Sequence, residues 1–188
     1  MKSKHIAVLL VLIDVVGTFF LIRQNSRIKA DLAEDSTSCI SEVSHLVAEY
    51  FEPGVYALNY LSKNPLFHDF NGRSDSLKLL EQELFDFGRT IGNIHQVRLI
   101  AMDGEELIKV CRGHDLVEVM PTDELQNKSH RYYHELAKKL APNQVFLTSI
   151  DLNVERGEIE QPLRPVIRML KKVYNSQGLE TGYLVVNI

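Results

Sequence analysis

The residues best suited to chemistry lie together in the stretch DLNVERGEIE, residues 151–160. Four acids in ten residues could serve as general acid and base in a hydrolase, or they could pair with nearby arginines in a solvated loop. The sequence has neither a GxSxG nucleophile motif nor a glycine-rich phosphate loop. A membrane-anchored extracytoplasmic hydrolase that uses this loop is therefore the alternative interpretation of the chain. The acids are Asp151, Glu155, Glu158 and Glu160.

The same stretch also has features of a calcium-binding loop. Asp151, Asn153 and Glu155 alternate, and their side-chain oxygens are ligands that Ca²⁺ prefers. An EF-hand next needs a glycine, where Arg156 stands, and a bidentate glutamate at the twelfth position, where Pro162 stands. We therefore predict no calcium site.

Two histidines offer a second metal-binding pattern. His130 and His134 are four residues apart on a predicted helix, a spacing that can hold a metal on one face. The metalloprotease form needs a glutamate directly after the first histidine, and Arg131 occupies that position. We interpret the pair as part of a solvated helix face, and we predict neither a metal nor another cofactor.

The aromatic stretch HRYYHE places two tyrosines beside Arg131. Tyr133 shares a helical face with Leu136 and Leu140, so we expect it in the core. Arg131 and Tyr132 lie to the side of that face. They are candidates for lining a small-ligand pocket, because such pockets combine aromatic walls with a few polar groups.

The elements that must position these residues belong to a small protein of ordinary composition. The chain has 188 residues, enough for one domain and little more, and is 45% hydrophobic and 24% charged. Its net charge of −4 excludes the basic footprint of a nucleic-acid-binding protein. Cys39 and Cys111 permit a disulfide in an oxidising compartment, but we favour two small buried hydrophobic side chains.

The N-terminus has the composition of a membrane anchor. Residues 6–22 are apolar except for Asp14, and this length is at the short end of what spans a bilayer. The following residues lack a small-residue cleavage site, so residues 1–23 are predicted to be an uncleaved signal anchor. Basic residues flank the segment on both sides, and the two lysines before it favour export of the rest of the chain.

The hydrophobic pattern predicts helices first and strands afterwards. Apolar residues at helical spacing predict helices over 24–50, 55–63, 76–92 and 125–140, with a break or a kink at Pro53-Gly54. Five strands are predicted at 95–102, 106–112, 144–150, 165–174 and 179–188. Asp103-Gly104 and residues 175–178 are the turns of two hairpins. The fold class is therefore α+β: a long N-terminal helix, transmembrane in its first part, and an antiparallel sheet of about five strands flanked by helices.

At this point the sequence resembles a known family. The segment LQNKSHRYYHEL, the loop SIDLNVERG, the strand entry QPLRPVIR and the closing strand GYLVVN together resemble the extracytoplasmic double Cache region of bacterial receptors, whose modules are PAS-like. Such regions stand at the N-termini of transmembrane histidine kinases, diguanylate cyclases and chemoreceptors. The resemblance covers residues 95–188.

The resemblance implies where a ligand would bind. In such domains the ligand lies between the sheet and the segments that cross one of its faces, so the loop 150–165 would close over it as a lid above a cavity. Asp151 and Asn153 would offer acceptors or fix the loop, and Arg168 would pair with a carboxylate of the ligand or the loop. Together with Arg131 and Tyr132, these residues form the expected ligand site. Replacement of Arg168 by alanine is expected to abolish the ligand response without unfolding the domain.

The resemblance also implies a function. The chain would be the ligand-sensing input module of a membrane signal-transduction receptor in the bacterial inner membrane, with its sensory part in the periplasm and no catalytic residues of its own. It would bind an unknown small molecule and form a homodimer through its N-terminal helix. The expected organisation is an anchor at 1–23, a helical region at 24–94 and a Cache module at 95–188, after which the chain would stop before a second module. An interaction protein whose helix pairs with a partner's helix is a third interpretation.

Overall fold

The computed structural model describes the backbone of residues 2–68, 74–113 and 116–188, and the side chains of residues 18–67, 75–113 and 116–188. The chain divides into two compact units, residues 1–50 and 51–188. The first unit is entirely helical over its described residues, and the second contains the sheet. The candidate site residues all belong to the second unit.

Helix α1 runs from Lys2 to Leu61 and includes Pro53. A break at Pro53-Gly54, one of the two predicted outcomes, is therefore wrong, because the helix continues through both residues. A proline inside a helix costs about 3 kcal/mol, but burial of a large aliphatic side chain returns about 1.5–3 kcal/mol each time. Leu58 and Leu61, just after the proline, are fully buried, and this packing outweighs the missing hydrogen bond.

The predicted membrane anchor at residues 6–22 lies mostly outside the residues whose side chains are described. Within the described part of the chain, no helix combines the length and the apolar character needed to cross a bilayer. In the first unit, from residue 18 to residue 50, the side chains are exposed, and this includes Cys39. The expectation that Cys39 is buried is therefore wrong; Cys39 and Cys111 are both free thiols.

Two further helices complete the helical layer of the second unit. Helix α2 covers Pro65–His68 and helix α3 covers Ser74–Thr90, which confirms the helix predicted from its apolar spacing. The Arg112 side chain donates to the backbone carbonyls of Gly88, Arg89 and Ile91 at the end of α3. These carbonyls have no partner within the helix, so the arginine caps it.

The main sheet has six antiparallel strands in the order β3-β2-β1-β10-β9-β4. It confirms the predicted antiparallel α+β architecture and adds a short strand to the five expected. Two small two-stranded sheets, β5-β8 and β6-β7, lie in the segment between β4 and β9. The strands are β1 Gln96–Ala101, β2 Glu106–Arg112, β3 Val117–Val119, β4 Phe146–Leu147, β5 Asp151–Leu152, β6 Val154–Glu155, β7 Glu158–Ile159, β8 Pro165–Val166, β9 Arg168–Tyr174 and β10 Glu180–Asn187.

Both predicted hairpins are confirmed. Strands β1 and β2 pair with Arg98 opposite Lys109, and β9 and β10 pair with Arg168 opposite Asn187. The turn of the first hairpin needs Gly104, which has φ +95°. A Cβ there would lie 2.6 Å from the backbone nitrogen of Ser129, so only glycine allows the segment around Ser129 to pass so close.

Alternation along the four long strands gives the sheet two unlike faces. One face is apolar and packs against the end of α1, α2 and α3; its residues include Val97, Leu99, Ile108, Val110, Met169, Val173, Leu184 and Val186. The other face carries buried polar and charged side chains, namely Gln96, Arg98, Glu106, Lys109, Arg168, Lys172 and Asn187, and the buried Tyr183. The end of α1, α2 and α3 therefore stabilise one face, and the other face carries the buried polar groups.

Helix α4 covers Tyr132–Lys138 and lies on the polar face. It is shorter than the helix predicted over 125–140, because residues 125–131 run beside the first hairpin instead. The Glu106 amide donates to the Gln126 carbonyl and the Lys128 amide to the Gly104 carbonyl. These backbone hydrogen bonds replace the helical ones and lead the chain across the edge of the sheet.

Candidate functional site

The five site residues predicted from the sequence come together on the polar face, where three of them contact the ring of Tyr133. The Arg168 guanidinium lies 5.2 Å from the ring centroid and the Arg131 guanidinium 5.9 Å from it. The Tyr132 ring meets the Tyr133 ring edge-on, with centroids 5.7 Å apart. Tyr133 itself is buried in the cluster between α4 and the sheet, which confirms its predicted place in the core.

Arg168 holds the segment 150–165, which we call the covering segment, through Asp151 and Asn153. Its Nη1 lies 3.2 Å from Asp151 Oδ2, and its Nη2 lies 3.4 Å from Asn153 Oδ1. Arg131 Nη2 is 3.9 Å from the same Asp151 oxygen. We call Arg131, Tyr132, Asp151, Asn153 and Arg168 the arginine cluster. Because Arg168 is 1% exposed and its partners belong to the chain itself, the segment 150–165 closes onto buried side chains at this point.

A second charged group lies beside the arginine cluster, and sequence reasoning missed most of it. Glu155 reaches from β6 toward the sheet, where its Oε1 lies 2.6 Å from Arg98 Nη2 and its Oε2 lies 3.0 Å from Lys109 Nζ and 3.2 Å from Lys128 Nζ. Gln126 donates to Oε2 at 3.0 Å. We call Arg98, Lys109, Lys128 and Gln126 the anion site, since together they surround one carboxylate.

The pKa of Glu155 reflects this environment. Burial acts to raise it, but the charges of Arg98, Lys109 and Lys128 outweigh burial and hold the pKa well below its usual value. Glu155 is therefore ionised throughout the physiological range. Burial, followed by the repulsion from Arg98, lowers the pKa of Lys128. The same positive surroundings that favour the charged form of Glu155 thus disfavour the charged form of this lysine.

Glu106 is the second carboxylate near Arg98. Its Oε1 lies 3.5 Å from Arg98 Nε and 3.9 Å from Lys128 Nζ. Its other oxygen accepts a hydrogen bond from the backbone N–H of Gln126. Three cations thus face two carboxylates, which leaves one positive charge unbalanced. Among the described residues, Arg98 Nε and Arg168 Nε are buried side-chain donors without a hydrogen-bond partner.

Neighbouring polar groups orient these arginines. The Gln96 side chain accepts from Arg98 Nη2, and the Asn187 amide donates to the same Gln96 oxygen. The Tyr133 hydroxyl lies 3.4 Å from Arg98 Nη1, so Tyr133 touches both charged groups. The arginine cluster and the anion site are therefore one continuous polar layer on the sheet.

The two histidines considered as a metal pair are separated by the fold. His134 is buried, and its Nδ1 lies 2.9 Å from the Tyr183 hydroxyl, whereas His130 is exposed and precedes α4. The prediction that both lie on a solvated helix face is therefore wrong for His134. Over the residues that the structure describes, no group of three or more histidines, cysteines or carboxylates is arranged to hold a metal ion.

The signal that would have revealed the anion site is the register of the first hairpin. Arg98 stands between the apolar residues Val97 and Leu99, and Lys109 stands between Ile108 and Val110. The turn at Asp103-Gly104 sets Arg98 opposite Lys109, so two cations become neighbours on one face. Like charges in such a position require a counter-ion, and Glu155 supplies it from 46 residues beyond Lys109 in sequence.

The family comparison matches most of the second unit. The model for the bacterial histidine kinase sensor domain matches residues 60–188, more than half of the chain. No curated protein matches the sequence.

Solved structures share the fold at low sequence identity. A domain of a Vibrio parahaemolyticus protein assigned to the sensory box/GGDEF family superposes with a TM-score of 0.65 at 22% identity, over 79% of this chain and 59% of that one. The extracellular domain of a protein assigned as a histidine kinase gives 0.58 at 21%, over 77% and 59%. The ligand-binding domain of the Campylobacter jejuni chemoreceptor Tlp3, in complex with L-valine, gives 0.57 at 18%, over 76% and 53%. The chain thus spans less than two thirds of each of these structures.

Proposed function

The chain belongs to the bacterial histidine kinase sensor-domain family, and from that premise we propose that its polar sheet face binds a small molecule under the segment 150–165. The arrangement of the arginine cluster is the single observation that carries this proposal. Arg131, Tyr132 and Arg168 contact the Tyr133 ring, and Arg168 in turn holds Asp151 and Asn153 of the segment 150–165. Together these residues combine aromatic surface with guanidinium, carboxylate and amide groups.

The balance of charge supports an occupant with a carboxylate. Arg168 is buried and has one donor, Nε, without a partner among the described residues, while Asp151 is shared between Arg168 and Arg131. A bound carboxylate would take over part of the role of Asp151, and a bound ammonium would pair with Asp151 itself. The complex of the chemoreceptor Tlp3 with L-valine makes L-valine and related amino acids the first molecules to try.

The acids of the segment are engaged in ways that suit a binding module. Asp151, Glu155 and Glu160 each lie within ion-pair distance of an arginine or lysine. A carboxylate with a strongly lowered pKa, such as Glu155, is a poor general base and carries no proton to donate near neutral pH. The hydrolase alternative has no support from these groups, and we propose that the module has no catalytic activity of its own.

The surface of the first unit is compatible with the proposed dimer. Its described side chains include an exposed apolar series at helical spacing, namely Ile28, Leu32, Ile40, Val43, Leu46, Val47 and Tyr50. A helix with such a stripe in water is suited to pairing with a second copy. We propose a homodimer through this helix, an inner-membrane anchor at residues 1–23, a helical region at 24–94 and a periplasmic sensory module at 95–188.

A thermal-shift titration of the full chain tests the site. A ligand that binds the folded form raises the melting temperature, so L-valine, L-isoleucine and other amino acids are screened first. Tyr132→Ala is the preferred site variant, because the side chain is exposed and its loss leaves the core intact. Arg168→Ala is less suitable than the sequence suggested, because it strands Asp151 and Asn153 next to a buried gap.

Tyr132→Ala is expected to raise the ligand concentration that gives half of the maximal shift in melting temperature by at least about tenfold. Tyr60→Ala is the matched control, since Tyr60 is an exposed tyrosine at the end of α1 on the opposite side of the sheet. Equal titration curves for Tyr132→Ala and the unmodified chain would place the ligand elsewhere.

A further inference from the structure

The hairpin that carries Glu155 is separate from the main sheet. Strands β6 and β7 pair with each other through Val154 opposite Ile159 and Glu155 opposite Glu158. The two turn residues, Arg156 and Gly157, have φ of 53° and 84°, the left-handed values that a tight two-residue hairpin turn needs. Glu158 and Ile159 are exposed, so most of the hairpin lies on the surface.

The Glu155 side chain is the inward-pointing exception. Each of its two oxygens accepts hydrogen bonds, and the donors come from β1, β2 and the segment 126–128. Donors from three separate elements around both oxygens are the arrangement by which a protein holds a bound carboxylate. Here the carboxylate belongs to the protein and is attached through a surface hairpin.

Removal of that carboxylate would leave a strongly positive pocket. Arg98, Lys109 and Lys128 would then face Glu106 alone, with two positive charges in excess. Arg98 and Lys128 are 1% and 2% exposed, so water cannot fully replace the lost partner. Opening of the hairpin would therefore leave buried cations without a counter-charge, and binding of an anion would become favourable.

We propose that the anion site binds a small carboxylate-bearing ligand and that Glu155 is its tethered competitor, which occupies the site until the ligand displaces it. Displacement releases the β6-β7 hairpin from the polar face and exposes it to solvent. The step from this release to signalling rests on the proposed sensory function, whereas the anion site itself does not.

The attachments of the hairpin are compatible with release. The Arg156 amide donates to the Gln126 side chain at 2.9 Å, and Gln126 also bonds Glu155, so both contacts are lost together. The Arg156 guanidinium lies 3.4 Å from Glu124 in an exposed pair that adds little stability. A tethered group competes at an effective concentration in the millimolar range or above, so a free carboxylate binds more weakly while Glu155 is present.

Chemical rescue tests the site in the full chain. Glu155→Ala removes a CH₂–COO⁻ fragment, which acetate replaces in size and charge and acetamide replaces in size alone. At constant ionic strength, acetate is expected to raise the melting temperature of Glu155→Ala, and acetamide is not. Glu158→Ala is the matched control, since it removes a carboxylate from the same hairpin at an exposed position.

Competition tests the displacement. Malonate carries two negative charges, which match the excess charge of the vacated site. It is expected to bind Glu155→Ala at least about tenfold more tightly than the unmodified chain or Glu158→Ala, as measured by calorimetry. In the unmodified chain, malonate is expected to accelerate hydrogen exchange of the Arg156 amide, which the closed hairpin protects.

Two results would overturn the proposal. The first is equal malonate affinity, or no binding, in Glu155→Ala and the unmodified chain. The second is tight binding to the variant without faster Arg156 exchange in the unmodified chain, because Glu155 would then be a permanent structural ion pair. Should Glu155→Ala fail to fold, Glu155→Gln keeps the shape and removes the charge, and tighter malonate binding is expected of it as well.

The experiments separate this inference from the proposed function. Loss of the amino-acid response in Tyr132→Ala concerns the arginine cluster, and malonate competition concerns the anion site. A chain in which Tyr132→Ala is without effect but Glu155→Ala binds malonate more tightly would refute the former and support the latter.

Discussion

The two faces of the six-stranded sheet differ in what holds them to their neighbours. The apolar face is covered by helices through side chains such as Leu99 and Leu184, which are buried and interchangeable in chemistry. The polar face is covered by α4, which packs on it mainly through apolar side chains, and by the segment 150–165. That segment is held by charged pairs with specific partners, such as Glu155 with Arg98 and Asp151 with Arg168. Hydrophobic contact is non-directional, whereas a buried charge stabilises the fold only while its partner is in place.

This difference assigns separate tasks to the two faces. The apolar face can stabilise the domain in any state of the segment 150–165, because its contacts do not involve that segment. This holds also for its polar contacts, those of Lys171 with Asn59 and of Arg112 with the end of α3. The polar face can exchange one partner for another of the same charge, which is what a binding site requires. Four predictions test the comparison, and they follow in order of expected effect.

The largest effect is expected from removal of one charge on the polar face. Arg98→Met leaves Glu106 and Glu155 with fewer counter-charges in a buried site and should lower the free energy of unfolding by about 3–5 kcal/mol. Urea denaturation followed by tyrosine fluorescence measures it, since the chain has no tryptophan. Arg156→Met, at an exposed arginine, is the control and should change little. A loss below about 1 kcal/mol for Arg98→Met would show that the charges contribute little to the fold.

A truncation on the apolar face should destabilise the domain by a similar or smaller amount. Leu184→Ala removes a fully buried side chain at the centre of the core and should cost about 2–5 kcal/mol. Its effect on ligand affinity should be small, because Leu184 points away from both charged groups. A ligand affinity that falls together with stability would mean that the two faces are not independent.

Acid should weaken the domain through two histidines, the buried His134 and the half-buried His95. Burial, followed by the Lys138 charge, lowers the pKa of His134, and burial together with Arg164 and Arg112 lowers that of His95. Both pKa values are lower in the folded state, so the unfolded chain takes up protons first, and stability falls as pH drops below about 6.5. Unfolding free energies at pH 5, 6 and 7 should show this slope, and His134→Gln should reduce it. An unchanged slope in His134→Gln would contradict the assignment, and His130→Gln at an exposed site serves as the comparison.

The smallest effect is expected at the margin of the polar face. Lys172 Nζ lies 2.7 Å from Glu180 Oε1, but Glu180 is 40% exposed, so solvent replaces most of the interaction. Glu180→Gln should lower the unfolding free energy by about 0–1 kcal/mol and should leave ligand and malonate binding unchanged. A larger loss of unfolding free energy would mean that paired charges stabilise the whole polar face and not the site alone.

The sequence predicted the framework well because local rules control it. The Asp103-Gly104 turn and the period-two pattern on either side were enough for the first hairpin, and the apolar spacing from Leu77 to Phe87 was enough for α3. The same rules failed at Pro53 and at residues 125–131. There the outcome depends on a distant partner, namely burial of α1 on the sheet and hydrogen bonds to the first hairpin.

The site was predictable only in part. Asp151, Asn153 and Arg168 belong to one stretch of sequence rich in charged and polar residues, and the structure brings them together. The anion site is assembled from β1, β2, the segment 126–128 and β6. The packing of a loop in three dimensions decides which acid forms ion pairs with Arg98 and Lys109. No periodicity along the chain contains that information.

The alternation along β9 places two dissimilar contacts back to back. Arg168 points into the polar layer, and the next residue, Met169, points into the apolar core toward Gly54 of α1. A Cβ at position 54 would overlap the Met169 methyl group, so sheet and helix touch there with no spare clearance. A sideways movement of β9 that accompanied a change of partner at Arg168 would therefore also shift Met169 against the helix at Gly54, directly behind the polar layer.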